Sequence, residues 1–306
     1  MRVKAFQGLT CYGAHLKGNY GGILLSVVAL DGNNEIYPVA YAIVSSEDKD
    51  SWSYFFWHIH NIVKDSGRHI GQSSLTGRRC GVDVALKTVW LEAKRRYCCR
   101  YLSINYKKLS QVHLCTSFSG ELAMLQINSH SERQWRDLKR KWSKHKFDPN
   151  VCNDSNTSNF VESFKSTLGA DRCRPVLTLL EGIRRVCMVR IASRKEAAMA
   201  LNNDELCPKI ARLVREISKA STTYGAFQLS PEEYEIHEGK SQFPLSLNSK
   251  ICSCGAWQLS GIPCRHAIRA MTHAKVDLHN YVSSWYSAQT YKKVYSHCIT
   301  PIPDLS

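Results

Sequence analysis

The spacing of apolar positions changes character twice in the first third of the chain. Ile23–Leu30 is an almost unbroken apolar run, Asp31-Gly32-Asn33-Asn34 follows, and Ile36–Val44 is a second run. Two β-rich runs around four turn formers predict a hairpin, and their continuous apolarity predicts burial on both faces. A shorter strand is predicted over residues 5–11. The period then becomes helical. Trp52, Phe55, Phe56, Ile59, Ile62 and Val63 fall on one face, and Asp50 and Ser51 stand where they can cap that helix. Residues 67–80 are polar with interspersed glycine and predict a loop, 82–93 predict a helix, and 97–104 a further strand.

The middle of the chain reads as mostly helical. Residues 132–143 place Trp135, Leu138 and Trp142 on one helical face, 148–159 are rich in Asn, Asp and Ser and predict a loop, and 160–168 return to helix. Pro175 suits the first position of a long helix reaching about residue 201, studded with Arg184, Arg185, Arg190, Arg194 and Lys195. Pro208–Ser221 is a second basic helix. Segments 233–237 and 242–247 flank Gly239-Lys240, which predicts a second hairpin and the start of a separate C-terminal unit. The expected organisation is therefore an α/β region over residues 1–110, a helical region over 111–221 and a small unit over 222–306.

A length of 306 residues fits more than one globular unit. The apolar runs are far shorter than the ~18 residues a membrane span needs, and the polar start Met1-Arg2-Val3-Lys4 offers no secretory signal, so no membrane partner is expected. Lys and Arg total 41 against 26 Asp and Glu, a net charge of +15, which favours an anionic partner such as nucleic acid. The 13 cysteines are an odd number without a signal peptide. They point to a reducing compartment in which thiols act as core residues or metal ligands.

The strongest chemical signal is Cys252-Ser253-Cys254 followed by Cys264-Arg265-His266, a C-x-C-x9-C-x-H pattern. Three thiolates and one imidazole complete the tetrahedral shell of a structural Zn²⁺ and leave no open position for catalysis. The first pair falls at a strand end after the hairpin. The second opens an apolar helix, where Pro263 favours the helix start and the N-terminal dipole favours thiolate at Cys264. The competing reading is a set of buried thiols beside a surface histidine. His273, His297 and Cys298 lie nearby and read as surface or packing residues.

Two stretches resemble the Mutator-like (MULE, MuDR-type) transposases of plants. The first is His15-Leu16-Lys17-Gly18-Asn19-Tyr20-Gly21-Gly22, continuing through Asp31-Gly32-Asn33-Asn34 to Glu47-Asp48-Lys49-Asp50-Ser51-Trp52. The second, Gln258-Leu259-Ser260-Gly261-Ile262-Pro263-Cys264-Arg265-His266-Ala267, resembles a SWIM zinc finger. Arg96-Tyr97-Cys98-Cys99-Arg100, Glu162-Ser163-Phe164, residues 175–185 and the tail over residues 291–304, ending Pro301-Ile302-Pro303-Asp304, match as well. The resemblance implies an α/β fold with an RNase H-like core carrying a helical insertion, then a small ββα zinc-finger unit. It also implies three carboxylates holding two divalent metals for phosphodiester chemistry.

Those acids are where this sequence departs from the family. The first aspartate's place holds Tyr12 and the second's holds Gly77; only the glutamate survives, as Glu162. Of the family's C-x-x-H, Cys98 remains while Tyr101 replaces the histidine. Asp31, in a hairpin turn, Asp50, as a helix cap, and Asp48 and Asp83, on the surface, are the acids that would have to substitute. Segment 112–130 is shorter than the family's corresponding stretch, and the family's N-terminal DNA-binding region has no counterpart before residue 1.

The expectation is a transposase-derived zinc-binding protein without strand transfer. Glu162 is then a catalytic remnant, Zn²⁺ is held by Cys252, Cys254, Cys264 and His266, and DNA is bound without sequence preference. Lys94-Arg95-Arg96 and residues 133–146 are the densest basic stretches, and residues 139–146 could serve as a nuclear localisation patch, so the expected location is nuclear. Two alternatives stay open. One is an active DDE-type transposase using Mg²⁺; the other is a protein-binding module in which the SWIM finger docks a protein partner.

Overall fold

The first three strands of the chain, β1 (Gln7–His15), β2 (Ile23–Leu30) and β3 (Ile36–Val44), form an antiparallel meander. They belong to a computed structural model that describes residues 7–18, 21–65, 74–76, 80–91, 93, 95–97, 152 and 166–299. Helix α1 (Lys49–Asp65) follows, then β4 (Ser74–Thr76), helix α2 (Cys80–Val89) and β5 (Arg95–Tyr97). The sheet order is β3-β2-β1-β4-β5, with β4 parallel to β1 and β5 parallel to β4.

Burial explains the two apolar runs. On one side of the sheet Leu25, Val27 and Ala29 meet Trp52, Phe55, Phe56, Ile59 and Val63 of α1 and Val82, Ala85 and Leu86 of α2. On the other, Leu24 and Val28 join Tyr12 and Ala14 under the helix that follows residue 175. The predicted burial on both faces therefore holds for β2. It does not hold for β3, which lies at the sheet edge and is half-buried at nearly every position, with Pro38 tolerated there because an edge strand can spare one donor.

Local predictions differ from the structure in several places; the strand expected over 97–104 is one, β5 ending at Tyr97 where the described residues stop. Strand β1 runs on to His15, beyond the expected end at residue 11. The predicted loop over 67–80 contains β4, three residues long, too short to show a period and held by its neighbours. Asp48, not Asp50, caps α1, its Oδ1 accepting the Ser51 amide at 2.8 Å. Ile62, assigned to the apolar face, is 41% exposed. Helix α2 stops at Val89 and relaxes into a turn that bonds the Ala93 amide to the Trp90 carbonyl. The helix over 132–143, the loop over 148–159 apart from Cys152, and most of 160–168 lie outside the described residues.

The N-termini of α1 and α2 meet at Gly81. A Cβ there would lie 2.8 Å from the backbone carbon of Asp48 and from the backbone nitrogen of Lys49, atoms that cannot swing aside. Gly81→Ala is expected to destabilise the fold by about 1–3 kcal/mol through overpacking, read as a lower denaturant midpoint.

A 3-10 turn (Gly169–Cys173) leads into α3 (Val176–Met199), which buries Leu179, Ile183, Cys187 and Ile191 at four-residue intervals. Helix α4 (Pro208–Ser221) starts on its proline, as predicted. The C-terminal unit begins with a second sheet, β6 (Gly225–Gln228), β7 (Glu233–Glu238), β8 (Ser241–Ser246) and β9 (Ile251–Cys252), antiparallel throughout in that order. The predicted hairpin is β7–β8. The ββα expectation falls short because β6 and β9 are only four and two residues long, too brief to register as strands in sequence.

Helices α5 (Ala256–Ser260), α6 (Arg265–Ala274) and α7 (Ala288–Val294) follow, with 3-10 turns at Leu278–Tyr281 and Ser284–Tyr286. One side of α6 (Ala267, Ala270, Met271) packs on Tyr234, Ile236 and Leu245 of the sheet. Its Ile268 joins Ile210 and Val214 of α4 in the large core. Among the described residues no helix is long and apolar enough to cross a membrane.

Candidate metal centre

Short-range geometry brings the C-terminal cysteines together. Strand β9 pairs Cys252 with Leu245, burying the thiol completely. The Gly255 amide then bonds the Cys252 carbonyl at 2.9 Å, and Gly255 takes φ +74°, which folds Cys254 back towards Cys252. The Gln258 amide holds the same carbonyl at 2.7 Å. Helix α5 ends on Gly261 (φ +71°), and Ile262-Pro263 lead to Cys264, the N-cap of α6, whose sulfur accepts the Ala267 amide at 3.5 Å. His266 sits in the first turn of α6, almost fully buried.

The four donor atoms, three Sγ and the His266 ring nitrogen, lie within 4.8 Å of one another. His266 Nδ1 is 3.6 Å from Cys252 Sγ and 4.0 Å from Cys264 Sγ. A tetrahedral zinc with ordinary bond lengths sets sulfur–nitrogen separations near ~3.6 Å and sulfur–sulfur separations near ~3.8 Å, so this donor set fits that ion after small closures. The far nitrogen, Nε2, contacts Glu238 Oε2 at 3.0 Å. The imidazole is stacked by Phe243 (centroids 3.9 Å, interplanar 14°) and by the more distant ring of Tyr224 (5.7 Å, 27°).

The electrostatics show what the cluster lacks without a cation. Hydrogen bonds from Cys252 and Cys264 hold the Cys254 thiol well below its ordinary value, while Cys252 and Cys254, with burial, push Cys264 up. Burial pulls the His266 imidazole down, but Cys252, Cys254 and Glu238 outweigh it, and the ring rises to about 10. One thiolate is favourable in so small a space; three need a divalent ion among them.

Among the described residues, the acids and Tyr12 considered for phosphodiester chemistry are not brought together. Tyr12 is 7% exposed in β1, packed with Ala14 and Leu24, and burial pushes its phenol far above the ordinary range. Gly77, Glu162, Cys98 and Tyr101 lie outside the described residues, as do Lys94 and residues 133–146; Arg95 and Arg96 are in β5. Asp31 follows Leu30, which pairs with Gln7 at the start of β1, five strand residues and about 17 Å from Tyr12. Asp48 caps α1, Asp50 is exposed, and Asp83 is half-buried in the first turn of α2. Glu47 lies over Gly13, on the face of β1 opposite Tyr12. His273, His297 and Cys298 are exposed, as predicted, the last bonded by Lys195 at 3.3 Å.

Two features of this architecture carry no local sequence signal. Glu238 lies 28 positions before His266, on another strand, and no ligand spacing marks it. Asp31 lies in the expected hairpin turn, yet its side chain is wholly buried. Its Oδ1 accepts the Asn33 and Glu35 amides (2.9 and 2.8 Å), and its Oδ2 accepts the Tyr295 hydroxyl (2.6 Å).

Comparison with known families agrees with both halves of this description. Residues 9–105 match the MULE transposase domain, and residues 239–275 match the SWIM zinc finger. No curated protein matches the chain. The chain thus carries a stretch similar to the MULE transposase domain and a SWIM-like unit in which three cysteines and a histidine converge.

Proposed function

We propose that this protein is a transposase-derived zinc protein that binds DNA without sequence preference and does not perform strand transfer. Cys252, Cys254, Cys264 and His266 would hold one structural Zn²⁺, which supplies folding energy and no reactive position, since four protein donors fill its shell. The N-terminal sheet, with helices on both faces, supports an RNase H-like core.

The observation that carries the inactive reading is Tyr12. The position where the resemblance expects the first metal-binding aspartate holds a buried phenol, kept neutral by desolvation. Mg²⁺ is held by hard anionic oxygens, which a neutral phenol does not supply. The net charge of +15 supports a phosphate-backbone partner, and a nuclear location follows from that reading.

Purified protein is expected to contain one zinc per chain by elemental analysis. Its affinity for duplex DNA of any sequence should fall by about tenfold or more between 50 and 200 mM salt, because phosphate contacts release counterions. No Mg²⁺- or Mn²⁺-dependent cleavage or joining of terminal-repeat DNA should appear. Cleavage that Glu162→Gln abolishes would establish the active DDE-type reading instead, and retention of DNA indifferent to salt, or none, would favour a protein partner for the finger.

A further inference from the structure

The zinc reading leaves open how a single histidine presents the correct nitrogen. His266 would ligate through Nδ1, the nitrogen beside Cβ, which needs the ring held in one of two orientations related by a half turn about its Cβ–Cγ bond. A flipped ring would offer the thiols a carbon and leave Glu238 facing a C–H. The stacking rings of Phe243 and Tyr224 fix the plane of the imidazole but do not distinguish the two edges. Glu238 does: its Oε2 lies 3.0 Å from Nε2.

Glu238 is itself held from two directions. Its Oε1 accepts the Tyr224 hydroxyl and faces Arg265 Nη1 at 3.5 Å. Tyr224 precedes β6, Glu238 ends β7, Phe243 lies in β8 and Arg265 opens α6. A chain of contacts therefore runs from the start of the second sheet to the imidazole edge.

We propose that Glu238 is the positioning residue of the zinc centre, fixing His266 with Nε2–H towards its carboxylate and Nδ1 towards the three sulfurs, with Tyr224 holding Glu238 in place. The proposal rests on the zinc reading. It extends that reading to a residue outside the C-x-C-x9-C-x-H pattern. Outer carboxylates on ligating histidines orient the ring and raise its basicity, and their loss commonly costs about 10–100-fold in metal affinity.

The test uses the full-length protein, its Glu238→Ala and Glu238→Gln variants, and Tyr224→Phe as a change that leaves Glu238 in place but loosens it. Zinc affinity is measured by competition with a chromophoric chelator. The ring is followed by the ¹⁵N shifts of His266, which separate a metal-bound Nδ1 from a protonated Nε2. Glu238→Ala should weaken zinc by about 10–100-fold and broaden or change the His266 nitrogen pattern. Glu238→Gln keeps an acceptor for Nε2–H and should recover most of that loss, and Tyr224→Phe should fall between wild type and Glu238→Ala. Unchanged zinc affinity and unchanged His266 shifts in Glu238→Ala would overturn the proposal while leaving the zinc centre standing. Equal losses in Glu238→Ala and Glu238→Gln, with Nδ1 still bound in both, would also overturn it, because the carboxylate would then act only on the fold. Wild-type protein without zinc would defeat the zinc reading itself.

Discussion

Replacing Cys252 with serine is expected to abolish zinc retention and unfold the second sheet together with α5 and α6. Cys252 is the most enclosed donor of the cluster, wholly buried and paired through its strand to Leu245. A hydroxyl stays protonated where a thiolate is required, so the site loses both a ligand and a charge. Structural zinc sites carry apparent binding energies of about 10–16 kcal/mol at neutral pH. The net stability of a whole domain is only about 5–15 kcal/mol. Little else in residues 225–274 could replace that energy, because the two outer strands are four and two residues long.

The damage should also spread beyond the finger. Ile268 of α6 belongs to the same core as Ile210 and Val214 of α4, so melting α6 uncovers part of the larger unit. Hydrogen exchange should show protection lost across 225–274 and reduced in 208–221, and a chelator should reproduce the pattern in wild type, with zinc reversing it there but not in Cys252→Ser. A variant with stoichiometric zinc and the wild-type denaturation midpoint would refute the assignment.

The sequence carried the features that obey a short local rule. Strands β2 and β3 were legible to the residue because two apolar runs bracket a turn-forming quartet, and α4 because a proline opens it. The convergence of Cys252, Cys254, Cys264 and His266 was legible because ligand spacing within one short window is itself the signal. What escaped depends on distance or on brevity. Strand β4 is three residues without a period, stabilised by β1 and β5. Asp48 and Asp50 are equally good capping residues by type, and only the backbone path selects the first. Glu238 and Asp31 meet partners 28 and 264 positions away, and no local pattern encodes such a pairing.

Asp31 gives the second large expectation. Asp31→Ala should destabilise the protein by about 3–5 kcal/mol, whereas Asp31→Asn should cost about 1 kcal/mol near neutral pH. The turn it occupies is one point where the N- and C-terminal parts of the chain are tied. Asn33 Oδ1 accepts the Lys209 amide at 2.9 Å and so caps α4 from 176 residues away. Arg194 Nε reaches Glu35 at 2.9 Å, and Arg194 Nη1 bonds the Ile36 carbonyl at 2.6 Å and lies 3.7 Å from Asp31. Alanine would strip the acceptor from two backbone amides and the Tyr295 hydroxyl at once, in a place water does not reach. Asparagine keeps an oxygen for the amides and offers an N–H that the tyrosine oxygen can accept.

The pH dependence follows from burial. Desolvation raises the Asp31 carboxyl above its ordinary range, against the hydrogen bonds from Tyr295 and Glu35 and the charge of Arg194. The folded protein therefore holds this proton to higher pH than the unfolded chain does. The corresponding stability is present in acid and lost as pH rises from about 4 through the raised native value. Asparagine mimics the protonated form, so the gap between wild type and Asp31→Asn should narrow with rising pH, and urea titrations across that range measure it. An Asp31→Ala variant within about 1 kcal/mol of wild type would mean that Asp31 is an ordinary surface turn residue after all.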